Sequence, residues 1–188
     1  MGKENFEQLM GLHAAPMLMG IKAASLLSFH KRKFHDFNAL LASYEPCFRC
    51  KGVSIFRVSE GEDYVLILFY RAGALWRELE QPRAKELLVR CGYRVEDTLQ
   101  KKLEHLRLRM TMCKSFPHEI GLFLGYPPED VAGFIDNRGQ NFCYSGYWKV
   151  YVNEQETRAL FDLYADCTHE FCTRLENGAS LPELVQAV

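Results

Sequence analysis

His118 opens the stretch HEIGLFLGYPPEDVAGFIDN, where an imidazole leads an alternating apolar run that closes on Gly125-Tyr126. An imidazole so placed can pack, ligate a metal, or act as base to a nucleophile elsewhere in the chain. For a metal, Cys47 and Cys50 form one C-x-x-C, and His169 and Cys172 lie three apart on one helix face. A structural zinc site takes four ligands, usually from two such pairs. Nothing in the sequence brings these two pairs together, so reduced, half-buried cysteines are the plainer reading. Glu119 follows His118, but no second histidine stands four residues on, and the metalloprotease helix motif is absent. Gly121, Gly125 and Gly133 are too widely spaced for a phosphate-binding loop. His118, Met110, Met112, Cys113 and Tyr126 are side chains of types that can ligate haem, but the attachment motif C-x-x-C-H does not occur. No metal or cofactor is assigned.

Nucleophilic catalysis asks for three parts. A thiol at a helix N-terminus is activated by the exposed N–H groups and the helix dipole. A histidine serves as base and then acid, and a third polar group orients it. The His118 stretch resembles the histidine half of papain-like and bacteriocin-leader-type cysteine peptidases: histidine, strand, Gly-Tyr, the turn PPED, the strand VAGFI, then Asp136-Asn137 as orienter. The same residues also read as a helix with Pro128 in its first turn and Glu129 and Asp130 beside its positive end, Asp136 and Asn137 then closing it. HAAPMLMGIKAASLL resembles the nucleophile half, a cysteine, a small residue, proline and an apolar helix. Position 14, where the thiol belongs, is Ala14.

The elements that must position these residues begin with a helix. GKENFEQL leads into HAAPMLMGIKAASLLSF, with Pro16 at a first-turn position and a buried, all-round apolar helix after it. A second helix, DFNALLASY, ends near Pro46. VSIFRVS and YVLILFYR flank EGED as a hairpin whose second strand is central. Ala72 to Met112 is helical in three pieces broken at Pro82 and Gly92. SGYWKVYV is a strand. Asn153 and Glu156 form a capping box for a helix running to Glu176, with Leu160, Leu163, Tyr164, Cys167 and Phe171 on its apolar stripe. Ser180 and Glu183 cap a short tail helix. The sum is α+β: helices around a small, mostly antiparallel sheet, in one domain over residues 1–188, with a papain-like arrangement as the specific expectation.

HAAPMLMGIKAASLLSF, FPHEIGLFLGYPPEDVAGFI and YSGYWKVYVNE resemble a bacterial domain-of-unknown-function family, number 3793, over essentially the whole chain. The resemblance supplies no mechanism. It implies one comparison: members often read His-Cys-Ala-Pro where this chain has His13-Ala14-Ala15-Pro16. Ala14 is then a natural loss, a deliberate substitution, or a sign that the cysteine never mattered.

The expected site has Ala14 at the nucleophile position, His118 as base, and Asp136 or Asn137 as orienter. Residues placed around a substrate are His13, Lys22, Glu119, Tyr126, Cys143, Tyr144 and Trp148. Lys22, inside a buried helix, needs an acid such as Glu119 or a path to water. Cys143 is the best remaining thiol, and its plainer reading is a small hydrophobe. Tyr147, Trp148 and Tyr151 read as core or pocket wall. Gln8 is a weak candidate oxyanion donor.

Composition bounds the rest. The chain has 188 residues, 48% hydrophobic and 25% charged, with formal net charge -1. That balance, with only the short basic run His30-Lys31-Arg32-Lys33, argues against nucleic acid as a partner. Ala14 to Phe29 is apolar, but Lys22 interrupts it and no signal-peptide flanks surround it, so neither a membrane span nor a secretory signal is expected. Seven cysteines at irregular spacing fit a reducing, cytoplasmic setting. The leading expectation is a thiol-dependent acyl hydrolase or transferase fold, inactive in this chain, with a small-molecule or peptide substrate and no assigned oligomeric state. The alternative is a non-catalytic protein binding a metal, haem or small ligand. A third is a protein-interaction module using aromatics such as Trp76.

Overall fold

A computed structural model describes residues 2–112 and 116–187. Cys113, one of the haem-ligand types, lies outside the described residues. The chain is α+β. It divides into two compact units, Met1–Ala72 with Tyr164–Val188, and Gly73–Leu163.

The first unit contains helix α1 (Gly2–Leu18), strand β1 (Ala24–His30), helix α2 (Phe37–Cys50) and strands β2 (Ser54–Glu60) and β3 (Tyr64–Tyr70). The strands form an antiparallel sheet in the order β1-β3-β2. The EGED hairpin is as expected, with β3 central and a bulge between Arg57 and Ser59. Lys31 pairs with Glu60 at 2.6 Å and Arg32 with Asp63 at 2.8 Å, so two of the basic residues neutralise acids of the hairpin. Asp36 caps α2, accepting from the Ala39 N–H at 2.9 Å. The core is aromatic: Phe6 stacks on Phe29 at 5.5 Å, and Phe48 meets Phe69 edge-on at 5.7 Å.

Arg71 holds this unit together. Buried to 4% exposure, it donates through Nε to the Met17 carbonyl and through Nη2 to those of Leu18 and Gln186. Its Nη1 donates to the Lys51 carbonyl. The guanidinium fork thus meets carbonyls at the ends of α1 and α2, where a cation is also favoured by the helix dipoles.

Three expectations are corrected here. The apolar run from Ala14 to Phe29 is not one helix: α1 ends at Leu18, Gly20 turns at φ 80°, and β1 follows. Pro16 stands in the last turns of α1, not its first, and its carbonyl accepts from Ile21 and Lys22. The second helix does not stop at Pro46 but continues to Cys50.

The second unit contains α3 (Ala72–Glu80, from its second residue), α4 (Pro82–Arg90), α5 (Leu99–Met112), α6 (Ile120–Phe123) and α7 (Pro128–Asp136). The short hairpin β4 (Tyr144–Ser145) and β5 (Lys149–Val150) follows. The three helical pieces between Ala72 and Met112 agree with the breaks read at Pro82 and Gly92. Lys102, 1% exposed, donates to the Arg94 carbonyl at 3.1 Å and lies 5.8 Å from the Trp76 ring centre. The stretch after His118 is helix, turn and helix. Its residues are buried on most sides, so alternation carried no information about period.

Helix α8 (Glu154–Glu176) begins in the second unit and ends in the first. Asn153 precedes it at φ 51°, its carbonyl accepting the Thr157 N–H at 3.0 Å. Tyr164, Cys167 and Phe171 are buried as expected, whereas Leu163 is 48% exposed. The Ser180–Glu183 capping box forms at the start of α9 (Leu181–Leu184).

Candidate functional site

Pro128 opens α7 and places Glu129 and Asp130 in its first turn. Asp130 is 2% exposed. Its Oδ2 accepts the Trp148 indole N–H at 2.8 Å, and its Oδ1 accepts the backbone N–H groups of Tyr151 at 2.7 Å and Val152 at 3.1 Å. A buried carboxylate is costly unless its lone pairs are met. Here three donors and a helix N-terminus meet them, and the end of the β4–β5 hairpin is fixed against α7.

Trp148, held by its N–H, stacks on Tyr126 at 4.5 Å and 24° and meets Phe161 edge-on at 4.5 Å and 89°. Tyr126 follows a turn with Gly125 at φ 73° and donates its N–H to the Gly121 carbonyl. Gly146 is required by closeness: a Cβ there would lie 2.3 Å from the Phe161 ring.

These groups wall a pocket of about 320 Å³. Ile120, Gly121, Asp130, Val131 and Trp148 are its buried members, and Phe116, His118, Ser145, Gly146 and Tyr147 its exposed ones. The His118 ring meets Phe134 edge-on at 5.0 Å. Lys149 donates from Nζ to the Gly139 carbonyl at 2.6 Å, with the Phe142 ring centre at 4.7 Å and that of Phe134 at 5.8 Å. Among the described residues no carboxylate pairs with this ammonium. Burial pushes the Tyr126 phenol upward. The interior is therefore apolar and aromatic, with one cation and one imidazole, and its carboxylate is already occupied.

A family model described as Protein of unknown function (DUF3793) matches residues 10–185. The chain belongs to the DUF3793 family. No curated protein and no solved structure matches it. The DUF3793 description names no activity, and the site has to speak for itself.

Of the expected catalytic residues, His118 sits in a turn before α6, not at the head of a strand, and 128–136 is the helix α7. The layout behind the papain-like resemblance therefore does not form in this segment. Asp136 is exposed and lies 3.7 Å from Arg90. Asn137 closes its own helix, donating from Nδ2 to the Gly133 carbonyl at 2.9 Å and accepting from Asn141 at 3.2 Å. Neither is hydrogen-bonded to His118. Ala14 is fully buried in the last turns of α1, so it is not at a helix N-terminus.

The expected substrate-binding residues separate in the same way. Tyr126 and Trp148 line the pocket with His118. His13 is exposed on α1, in the other unit. Lys22 is half-buried between α1 and β1, its Nζ 6.0 Å from the Tyr164 ring centre, and burial lowers it to about 8. Glu119 is buried and pairs with Arg109, also accepting from the Tyr93 hydroxyl at 3.5 Å. Cys143 is exposed, its thiol donating to the Val150 carbonyl at 3.1 Å. Tyr144 lies under the Arg158 guanidinium at 3.6 Å. Gln8 is exposed on α1. Among the described residues no three His, Cys, Asp or Glu side chains come together as a metal-ligating group.

Sequence reasoning missed Asp130 as a clamp and Phe134 and Lys149 as pocket walls. The sequence offers Glu129 and Asp130 only as turn residues of PPED or as acids at a helix start. The signal for Lys149 is a lysine next to Trp148 in the aromatic run SGYWKVYV, which forms the β4–β5 hairpin turning at 146–148 rather than the single strand expected.

Proposed function

We propose that the chain is a small-molecule binding protein whose site is the aromatic pocket around Trp148. The observation that carries this reading is the buried Asp130 carboxylate. Its three hydrogen bonds fix Trp148 and the hairpin, and so preorganise the pocket's inner wall. The volume falls at the lower end of the range for small-ligand sites, and the lining combines aromatic surface with a few polar groups, as such sites do.

Thiol acyl chemistry draws less support. A cysteine at position 14 would lie in the core, where burial raises a thiol's pKa and blocks approach. That reading would need a nucleophile beside His118, and among the described residues the pocket lining contains no cysteine.

Ligand-detected NMR with a library of small aromatic and aliphatic molecules tests the proposal. Ser145→Trp serves as the control, because Ser145 is exposed at the pocket and a bulky ring there fills the mouth. Binders that the unmodified protein holds and the Ser145→Trp protein loses support the reading. Binders retained in full by both proteins, or none at all, overturn it.

A further inference from the structure

The proposed pocket has a charge pattern that narrows its ligand. Lys149 is half-buried beside two aromatic faces, and among the described residues its one hydrogen-bond acceptor is the neutral Gly139 carbonyl. An ammonium has three donors, so two remain for another acceptor. The pocket's carboxylate, Asp130, is engaged instead by Trp148, Tyr151 and Val152, and among the described residues it forms no ion pair with Lys149. The exposed His118 imidazole, seated on Phe134, adds a second group able to donate a hydrogen bond. Around these groups the walls are ring faces and edges: Tyr126, Phe134, Tyr147 and Trp148.

A cation with no counter-ion among the described residues, beside a partly desolvated aromatic cavity, favours an anion with a flat apolar body. The anion restores the charge balance that burial penalises, and the flat body stacks where a flexible chain would lose rotamer entropy. Building on the pocket reading above, we infer that the ligand is a planar aromatic carboxylate of one or two rings, its ring among Trp148, Phe134 and Tyr147 and its carboxylate at Lys149 Nζ.

The test follows the Trp148 indole N–H in a 1H–15N spectrum, assigned with Trp76→Phe, the chain's other tryptophan. The probes are indole-3-carboxylate, neutral indole and octanoate, each titrated into the full-length protein and into Lys149→Gln. The expected result is saturable movement of the Trp148 signal by indole-3-carboxylate, at least about tenfold weaker for indole, for octanoate and in Lys149→Gln. Dispersion of the remaining amide signals shows that Lys149→Gln is folded. If indole binds as tightly as its carboxylate, and Lys149→Gln changes nothing, the ligand class is wrong while the pocket stands. Tighter binding of octanoate also overturns the class. Silence from all three probes overturns the class and the pocket reading together.

Discussion

The Trp148 indole N–H donates to the Asp130 carboxylate at 2.8 Å across eighteen residues of sequence, and both side chains are buried. This bond turns a two-stranded hairpin, marginal by itself, into a fixed pocket wall. The same carboxylate anchors the Tyr151 and Val152 amides. Asp130→Ala strands three donors and is expected to lower stability by about 3–5 kcal/mol. Asp130→Asn keeps one acceptor oxygen and is expected to cost about half as much. Urea unfolding checks both, and a loss below about 1 kcal/mol for Asp130→Ala contradicts the clamp.

Arg71 makes the corresponding closure in the first unit, with four carbonyls on one guanidinium. Arg71→Met removes a donor from all four and, among the described residues, leaves those of Lys51 and Gln186 without one, while Met17 and Leu18 keep the Gly20 and Gln186 N–H groups; it is expected to destabilise by about 3 kcal/mol. Arg71→Lys is expected to recover little, because three donors on one point cannot reproduce the planar fork. Thermal unfolding of the two variants separates a charge requirement from a geometric one. A fully stable lysine variant contradicts the geometric account.

Lys22 links stability to pH. Burial lowers its folded pKa from 10.5 to about 8, so the charged form is disfavoured in the folded state. Between these values the unfolded chain binds more protons at this site, and its contribution to stability rises as pH increases from 8 to 10.5. Below pH 8 the full penalty remains. Lys22→Met is expected to gain on the order of 1–2 kcal/mol at neutral pH, discounted for partial exposure. The gain should shrink towards pH 10.5, as read from unfolding curves of both proteins. A gain that does not vary with pH contradicts the assignment.

Ala14→Cys tests the nucleophile reading. Position 14 has no exposed surface, whereas Cys50 and Cys143 are exposed. Iodoacetamide at neutral pH is expected to modify those two first and the new thiol only after denaturant is added. Peptide mapping by mass spectrometry identifies the site. Preferential labelling at position 14 in the folded protein would revive thiol chemistry.

Legibility in the sequence followed local chemistry. The EGED hairpin, the breaks at Pro82 and Gly92 and the Ser180–Glu183 cap are set by neighbouring residues, and each appears as read. The run from Ala14 to Phe29 was misread because uniform apolarity fits a buried helix and a buried strand equally. Only Gly20 marked the change. Pro16 misled because a proline near a helix end removes few hydrogen bonds and is tolerated there. Trp148 and Tyr126 were legible as pocket residues from their type. The role of Asp130 was not, since its donors lie on a distant hairpin and no local pattern encodes that meeting.

The most direct measurement of the central claim is a crystal structure of the protein grown with indole-3-carboxylate. The account predicts planar density against Trp148 and Phe134, with the carboxylate within hydrogen-bond distance of Lys149 Nζ. A well-ordered but empty pocket at saturating ligand, or density seated only elsewhere, contradicts it.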